Sequence, residues 1–132
     1  MKRLPAATIA IVTLIALMSC SRSNETGNTS EIVPGIPVKG TVTLVDLGAT
    51  TCIPCKMMAP ILEQLKSEFQ GKAEVIFIDV WDQANEGKMQ AFKIMAIPTQ
   101  IFYDKQGKEV LRHTGFLDKE SIAAKLDELV KQ

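Results

Sequence analysis

Two cysteines separated by two residues, Cys52-Ile53-Pro54-Cys55, are the part of this chain best suited to chemistry. Sulfur atoms at that spacing can close a disulfide and reopen it, or supply half of a tetrahedral zinc site. Zinc would need a second C-x-x-C or paired histidines, and the sequence has neither. Its one histidine is His113, and its third cysteine, Cys20, lies far upstream. His113 falls late in an expected strand and reads as a partly exposed strand residue rather than a ligand. Met57 and Met58 follow the pair and could extend it toward soft Cu(I). Met58, however, belongs to a helical apolar stripe and is expected to pack in a core. Asp46, six positions before Cys52, is the remaining reactive group: an acid in an otherwise apolar run.

A dithiol works only if its two sulfurs are held in unequal surroundings. Thr41–Leu47 (TVTLVDL) is β-branched and apolar, which predicts a strand covered on both faces. A short loop, Gly48 to Thr51, leads into the cysteine pair. Pro54 suits a first helical turn, where a missing N–H removes nothing. From Cys55 onward Met58, Ile61, Leu62, Leu65 and Phe69 make one apolar helical stripe. Pro60 lies inside that helix and should kink it, and Gly71 should stop it. Cys52 thus precedes a helix and Cys55 lies one turn in. Unpaired N–H groups and roughly half a positive charge stand beside the first sulfur and favour its thiolate. Thiolate is the nucleophile in disulfide exchange. Cys52 is expected to attack, and the more buried Cys55 to resolve.

The remaining elements alternate. Glu74–Val80 is a second buried strand and Asn85–Phe92 a short helix. Thr99–Tyr103 and Glu109–Thr114 form a hairpin around Asp104-Lys105-Gln106-Gly107. Asp118 caps a final helix with Ile122, Leu126, Leu129 and Val130 on its apolar face. The order β-α-β-α-β-β-α predicts an α/β fold, with a central mixed sheet flanked by helices on both faces. One domain is expected, with an adequate core. Fifteen basic and fifteen acidic residues cancel, and one Trp and one Tyr offer little for base stacking, so a nucleic-acid partner is not expected.

The N-terminus reads separately. Met1-Lys2-Arg3 is positive, and Leu4 to Met18 carries no charge but is too short to span a hydrocarbon core. That is the pattern of an export leader. Its end, Leu17-Met18-Ser19-Cys20, resembles the lipobox of bacterial lipoproteins. The resemblance implies a signal peptide over 1–19, lipidation of Cys20, and acyl chains that anchor the mature chain to a membrane. An ordinary secretory leader with an incidental cysteine is the competing reading. Residues 21–30 (SRSNETGNTS) are polar and aperiodic, and 31–39 add two prolines and a glycine. The division expected is leader 1–19, lipidated cysteine and flexible tether 20–39, and folded domain 40–132.

From Thr41 to Val130 the chain resembles thioredoxin. The motifs are VDLGATTCIPCKMMAPIL, the Ile97-Pro98-Thr99 triplet, Gly107 in the hairpin turn and Gly115 after the last strand. Asp46 stands six before the first cysteine and Pro60 five after the second, as in that family. The resemblance implies a thioredoxin-like fold and thiol–disulfide oxidoreductase activity, with the Cys52–Cys55 disulfide in place of any bound cofactor. It implies a buried Asp46 that exchanges a proton with Cys55 through water. The alternative for Asp46 is exposure at a strand end. It implies also a cis bond before Pro98, where most X–Pro bonds are trans. Ile97 and Pro98, with Thr51, Ile53 and Pro54, would then meet an extended substrate.

Three departures matter. Thr51 and Gly48 stand where thioredoxins usually carry tryptophans, Ile53 follows the first cysteine where glycine is usual, and Phe77 replaces a lysine that normally neighbours the buried acid. Ile97 before Pro98 resembles the reducing thioredoxins, which favours the reducing direction over net oxidation. The reading is a monomeric, lipid-anchored envelope protein, facing the periplasm or exterior. It would exchange disulfides with exported proteins and be recharged by a membrane or exported thiol donor. The alternative of a different class is a non-catalytic copper-binding or assembly module using the same two thiols.

Overall fold

Strand β1 (Val42–Gly48) is buried at all seven positions, because it is hydrogen-bonded on both edges and covered on both faces. The computed structural model describes residues 33–132. The leader 1–19, the Cys20 lipidation site and the tether through residue 32 lie outside the described residues. Strand β2 (Ala73–Asp79) runs parallel to β1, from Val42↔Ala73 to Gly48↔Asp79. Strand β3 (Thr99–Tyr103) runs antiparallel to it, from Thr43↔Tyr103 to Leu47↔Thr99. Strand β4 (Glu109–Thr114) pairs antiparallel with β3 and completes a mixed sheet in the order β2-β1-β3-β4. The predicted strands differ from the observed ones by a residue at most.

Helix α1 (Ile53–Glu68) and helix α3 (Lys119–Val130) cover one face of the sheet. Met58, Leu62, Leu65 and Phe69 of the predicted stripe are buried there against Val42, Leu44 and Phe102 of the sheet and Ile122, Leu126 and Leu129 of α3. Burying each such side chain contributes about 1.5–3 kcal/mol. Pro60 lies within α1 as expected. The helix ends at Glu68, just short of the predicted Gly71, with the Phe69 N–H still donating to Leu65 O at 2.9 Å. Gly71, at φ +75°, then makes the turn into β2. Asp118 caps α3 as predicted, one carboxyl oxygen accepting from the Ser121 N–H at 2.8 Å and the other from its hydroxyl at 2.8 Å.

The second face is covered differently from the single helix predicted over 85–92. A 3-10 turn, Gln83–Asn85, is capped by Asp82, and a separate one-turn helix α2 spans Lys88–Ala91. Gly87 divides them because its backbone is left-handed, at φ 82°. Phe92 and Ile94 follow α2 and pack with Val45, Leu47, Ile101 and Tyr103. Val33 is buried in the same cluster, with Ile36 packed against it. The Ile36 N–H closes a turn on Val33 O at 2.8 Å, and Val38 N–H donates to Thr43 Oγ1 at 3.1 Å. Packing therefore reaches back beyond Gly40, because Val33 and Ile36 find an apolar surface that the aperiodic sequence around them does not announce. No helix among the described residues is long and apolar enough to cross a membrane.

Candidate active site

The cysteine pair sits where β1 hands over to α1, joined as a disulfide with the two Cα atoms 5.3 Å apart. Cys52 is the N-cap, extended at φ −82° and ψ 128°, and its carbonyl accepts the Lys56 N–H at 3.0 Å. No side chain caps the first helical N–H groups, and no acidic residue lies in the first turn. The positive end of α1 is therefore directed at Cys52 without local neutralisation. Cys52 is partly exposed, whereas Cys55 is only 3% exposed. The two sulfurs occupy unequal environments.

The loop before the pair is held by a residue the sequence did not single out. Asp79, at the end of β2, accepts from the Thr50 N–H at 3.0 Å and from its hydroxyl at 2.8 Å. Its other oxygen accepts the Trp81 N–H at 3.0 Å. These donors keep the Asp79 carboxyl below the usual carboxylate range, the Thr50 backbone bond contributing most. A signal did exist, since parallel strands β1 and β2 end on the same edge of the sheet and the loops leaving them must meet.

Asp46 is 0% exposed, so it is not the strand-end acid of the alternative reading. It points to the α1 side of the sheet, in the same pleat row as Leu44 and Gly48. Desolvation by burial pushes its carboxyl from 3.8 up to about 6, opposed by a hydrogen bond from Gln100 Nε2 to Asp46 Oδ1 at 2.7 Å. Gln100 is fully buried and is the second residue the sequence reading missed. Two residues further along β1, Gly48 lies against the buried Cys55 of the pair. A Cβ at Gly48 would stand 3.3 Å from Cys55 Sγ and 3.0 Å from Phe77 Cε2. Beside it, Ala49, Thr50, Cys55, Lys56, Ala59 and Phe77 help line a mostly apolar groove of about 210 Å³. Gly48→Ala should destabilise the oxidised domain by about 1 kcal/mol, because two neighbours must yield to one methyl group. Urea unfolding of the oxidised form is the measurement.

The residues assigned to substrate contact surround this edge. Thr51, Ile53 and Pro54 are exposed, Ile97 is half-buried and Pro98 is buried. The Ile97–Pro98 bond is cis. Pro98 immediately precedes Thr99, which pairs with Leu47, and its carbonyl accepts the Gly115 N–H at 2.8 Å. The proline loop thus adjoins the end of β1 from which the dithiol loop departs. Met58 is buried in the core, where its Sδ accepts the Leu117 N–H at 3.5 Å. His113 is partly exposed on β4, 3.2 Å from Phe116 O.

A redox dithiol at a strand–helix junction, with a buried acid on the same strand and a proline loop on the neighbouring one, defines a thiol–disulfide oxidoreductase of thioredoxin-like fold. The thioredoxin family profile matches residues 27–128. A thioredoxin from Staphylococcus aureus strain Mu50 is 42% identical over 90 residues, which is 68% of this chain and 84% of that protein. Among solved structures, chloroplastic thioredoxin z superposes with a TM-score of 0.63 at 32% identity, covering 74% of this chain and 86% of the other. The pneumococcal exposed lipoprotein thioredoxin from Streptococcus pneumoniae strain TIGR4 superposes with a TM-score of 0.61 at 25% identity, covering 69% and 87%. The chain belongs to the thioredoxin family and is a disulfide oxidoreductase with its C-x-x-C active site at Cys52 and Cys55.

Proposed function

We propose that this chain is a lipid-anchored thioredoxin of the bacterial cell envelope that reduces disulfides in exported proteins. The observation carrying the chemistry is the inequality of the two sulfurs, with Cys52 accessible at an unneutralised helix N-terminus and Cys55 enclosed beneath it. In the reduced protein the Cys52 thiolate attacks a substrate S–S bond, forming a mixed disulfide and releasing one substrate thiolate. Cys55 then gives up its proton to Asp46 and attacks Cys52 Sγ. The second substrate thiolate leaves, and the Cys52–Cys55 disulfide closes. The substrate gains two electrons and the dithiol loses them. A thiol donor in the membrane or among exported proteins would restore the dithiol.

A protein rather than a small substrate is supported by apolar surface gathered at the reactive edge. Ile53 and Met57 on α1, Trp81 after β2, Met95 before the proline loop and Phe116 after β4 are all exposed. Each lies on a segment that starts or ends at the edge bearing the dithiol. The family's tryptophans are missing from positions 48 and 51, yet Trp81 lies beside this loop through the shared Asp79 carboxylate. Exposed aromatic and methionine side chains of this kind suit a polypeptide partner.

The anchor and a leader over 1–19 rest on the Leu17-Met18-Ser19-Cys20 motif, with a tether after Cys20 that gives way to the domain by Val33 rather than at Gly40. They are supported by likeness to the pneumococcal protein described as an exposed lipoprotein. Two readouts in the producing bacterium test the proposal. Fatty-acid label should enter the wild-type chain but not Cys20→Ser, and the variant should leave the membrane fraction. Acid quenching followed by thiol alkylation should find Cys52 and Cys55 mostly reduced. A predominantly oxidised pair would make the protein a net oxidase, and since about 30 mV shifts a two-electron couple tenfold, the outcome should be decisive.

A further inference from the structure

The buried acid of this site has one oxygen held and one left unpartnered, and the residue doing the holding carries no charge. Gln100 Nε2 donates to Asp46 Oδ1 at 2.7 Å, and both residues are 0% exposed. Asp46 Oδ2 has no hydrogen-bond partner among the described residues. The two residues are direct cross-strand partners in the β1–β3 register, so the bond spans adjacent strands whose own pairing holds the two side chains opposite each other. We infer that Gln100 is a positioning residue for proton transfer in this protein, fixing Oδ1 of Asp46 so that Oδ2 is the atom that exchanges the proton with Cys55. This deepens, and rests on, the proposed role of Asp46 as proton acceptor.

The surroundings leave this task to Gln100. Opposite Asp46 on β2 stands Phe77. Helix α1 brings the buried Cys55, Met58 and Leu62 to this side of the sheet, and α3 brings Ile122 and Leu126. The charged α1 residues Lys56 and Glu63 line the groove beside Cys55 and Phe77. Burial and the Gln100 bond are the influences that set the Asp46 carboxyl, burial being the larger. An amide N–H donated to a carboxylate stabilises the charged form, so Gln100 keeps the acid ionised nearer neutrality than burial alone would. A fixed, uncharged donor does so without introducing a second titrating group.

The test uses the full-length chain with 13C-labelled aspartate carboxyls, the Asp46 signal being assigned by its loss in Asp46→Asn. Gln100→Leu and Gln100→Met both remove the donor while keeping an apolar body of similar size, so that one folding failure does not end the test. Each should raise the Asp46 carboxyl midpoint by about one pH unit, the effect of one lost charge-assisted hydrogen bond. The pH profile of the resolving step should move with it, so that the variants are about fivefold slower near pH 6 and match wild type above about pH 9. In the Asp46→Asn background the same substitutions should leave the profile unmoved. An unshifted carboxyl midpoint in both variants would overturn the role of Gln100 alone. A shifted carboxyl with an unshifted rate profile would overturn the underlying assignment of Asp46 as proton acceptor, and the inference with it.

Discussion

Cys52→Ser should lower the reduction of a protein disulfide such as insulin by about 10³-fold or more, to the rate of the dithiol reductant alone, because the thiol left in the pair, Cys55, is enclosed. Cys55→Ser should behave differently. Its Cys52 retains the helix N-terminus and still attacks, but nothing expels the second substrate thiolate, so the partner stays covalently bound. Non-reducing electrophoresis should show adducts with Cys55→Ser and none with Cys52→Ser. The asymmetry follows from exposure, since Cys52 can be reached from solvent and Cys55, at 3% exposure, cannot present its sulfur to a folded partner. Adducts on the Cys52→Ser protein, or none on Cys55→Ser, would reverse or remove the assignment of attacker and resolver.

The second large effect is in stability and carries its own sign. Burial raises the Asp46 carboxyl from 3.8 to about 6 in the folded chain. A raised acid binds its proton more tightly when folded, so its contribution to stability is complete below about pH 4. That contribution is lost as the pH climbs through about 6. The shift corresponds to about 3 kcal/mol withdrawn from the folded state at pH 7.5 relative to acid. Asp46→Asn keeps the shape and an oxygen able to accept from Gln100 but never ionises. It should therefore be more stable than wild type by about 2–3 kcal/mol at pH 7.5, and nearly equal to it at pH 4. The same variant should slow the resolving step by about 100-fold near neutrality, the low end of what a positioned base supplies. Paired urea titrations at the two pH values decide the matter. Equal stability differences at both would mean that Asp46 does not titrate in this range. A site that weakens the fold where it works is a familiar arrangement.

Much of this architecture could be read from local pattern. The runs TVTLVDL and TQIFY, the stripe from Met58 to Phe69 and the Asp118 cap each specify an element by spacing or side-chain chemistry, and each is where the sequence places it. The divided 83–91 segment was not legible, because the break depends on Gly87 taking a left-handed backbone that no periodicity signals. Val33 and Ile36 were hidden for a related reason: two apolar residues among prolines and glycine reveal packing only when the surface they meet is known.

At the site, the cysteines and Asp46 were visible because their types are rare in apolar surroundings. Gln100 was not. It meets Asp46 across 54 residues of chain, and that pairing is a matter of strand register. In retrospect a carboxyl in one buried strand and an amide in another are a hint, since unpaired polar groups are seldom enclosed. Asp79 needed the same kind of knowledge, the relative alignment of two parallel strands.

Strand β1 is enclosed along its whole length, whereas β4 at the sheet edge is open to water at most positions. Amide protons of such an interior strand are released only in the rarest, most extensive openings, while an edge strand breathes often and locally. The reactive loop hangs from the strand whose burial predicts that it opens last. A partner that pulls at the rim of the sheet should leave the sulfur it has captured on a footing that gives way last.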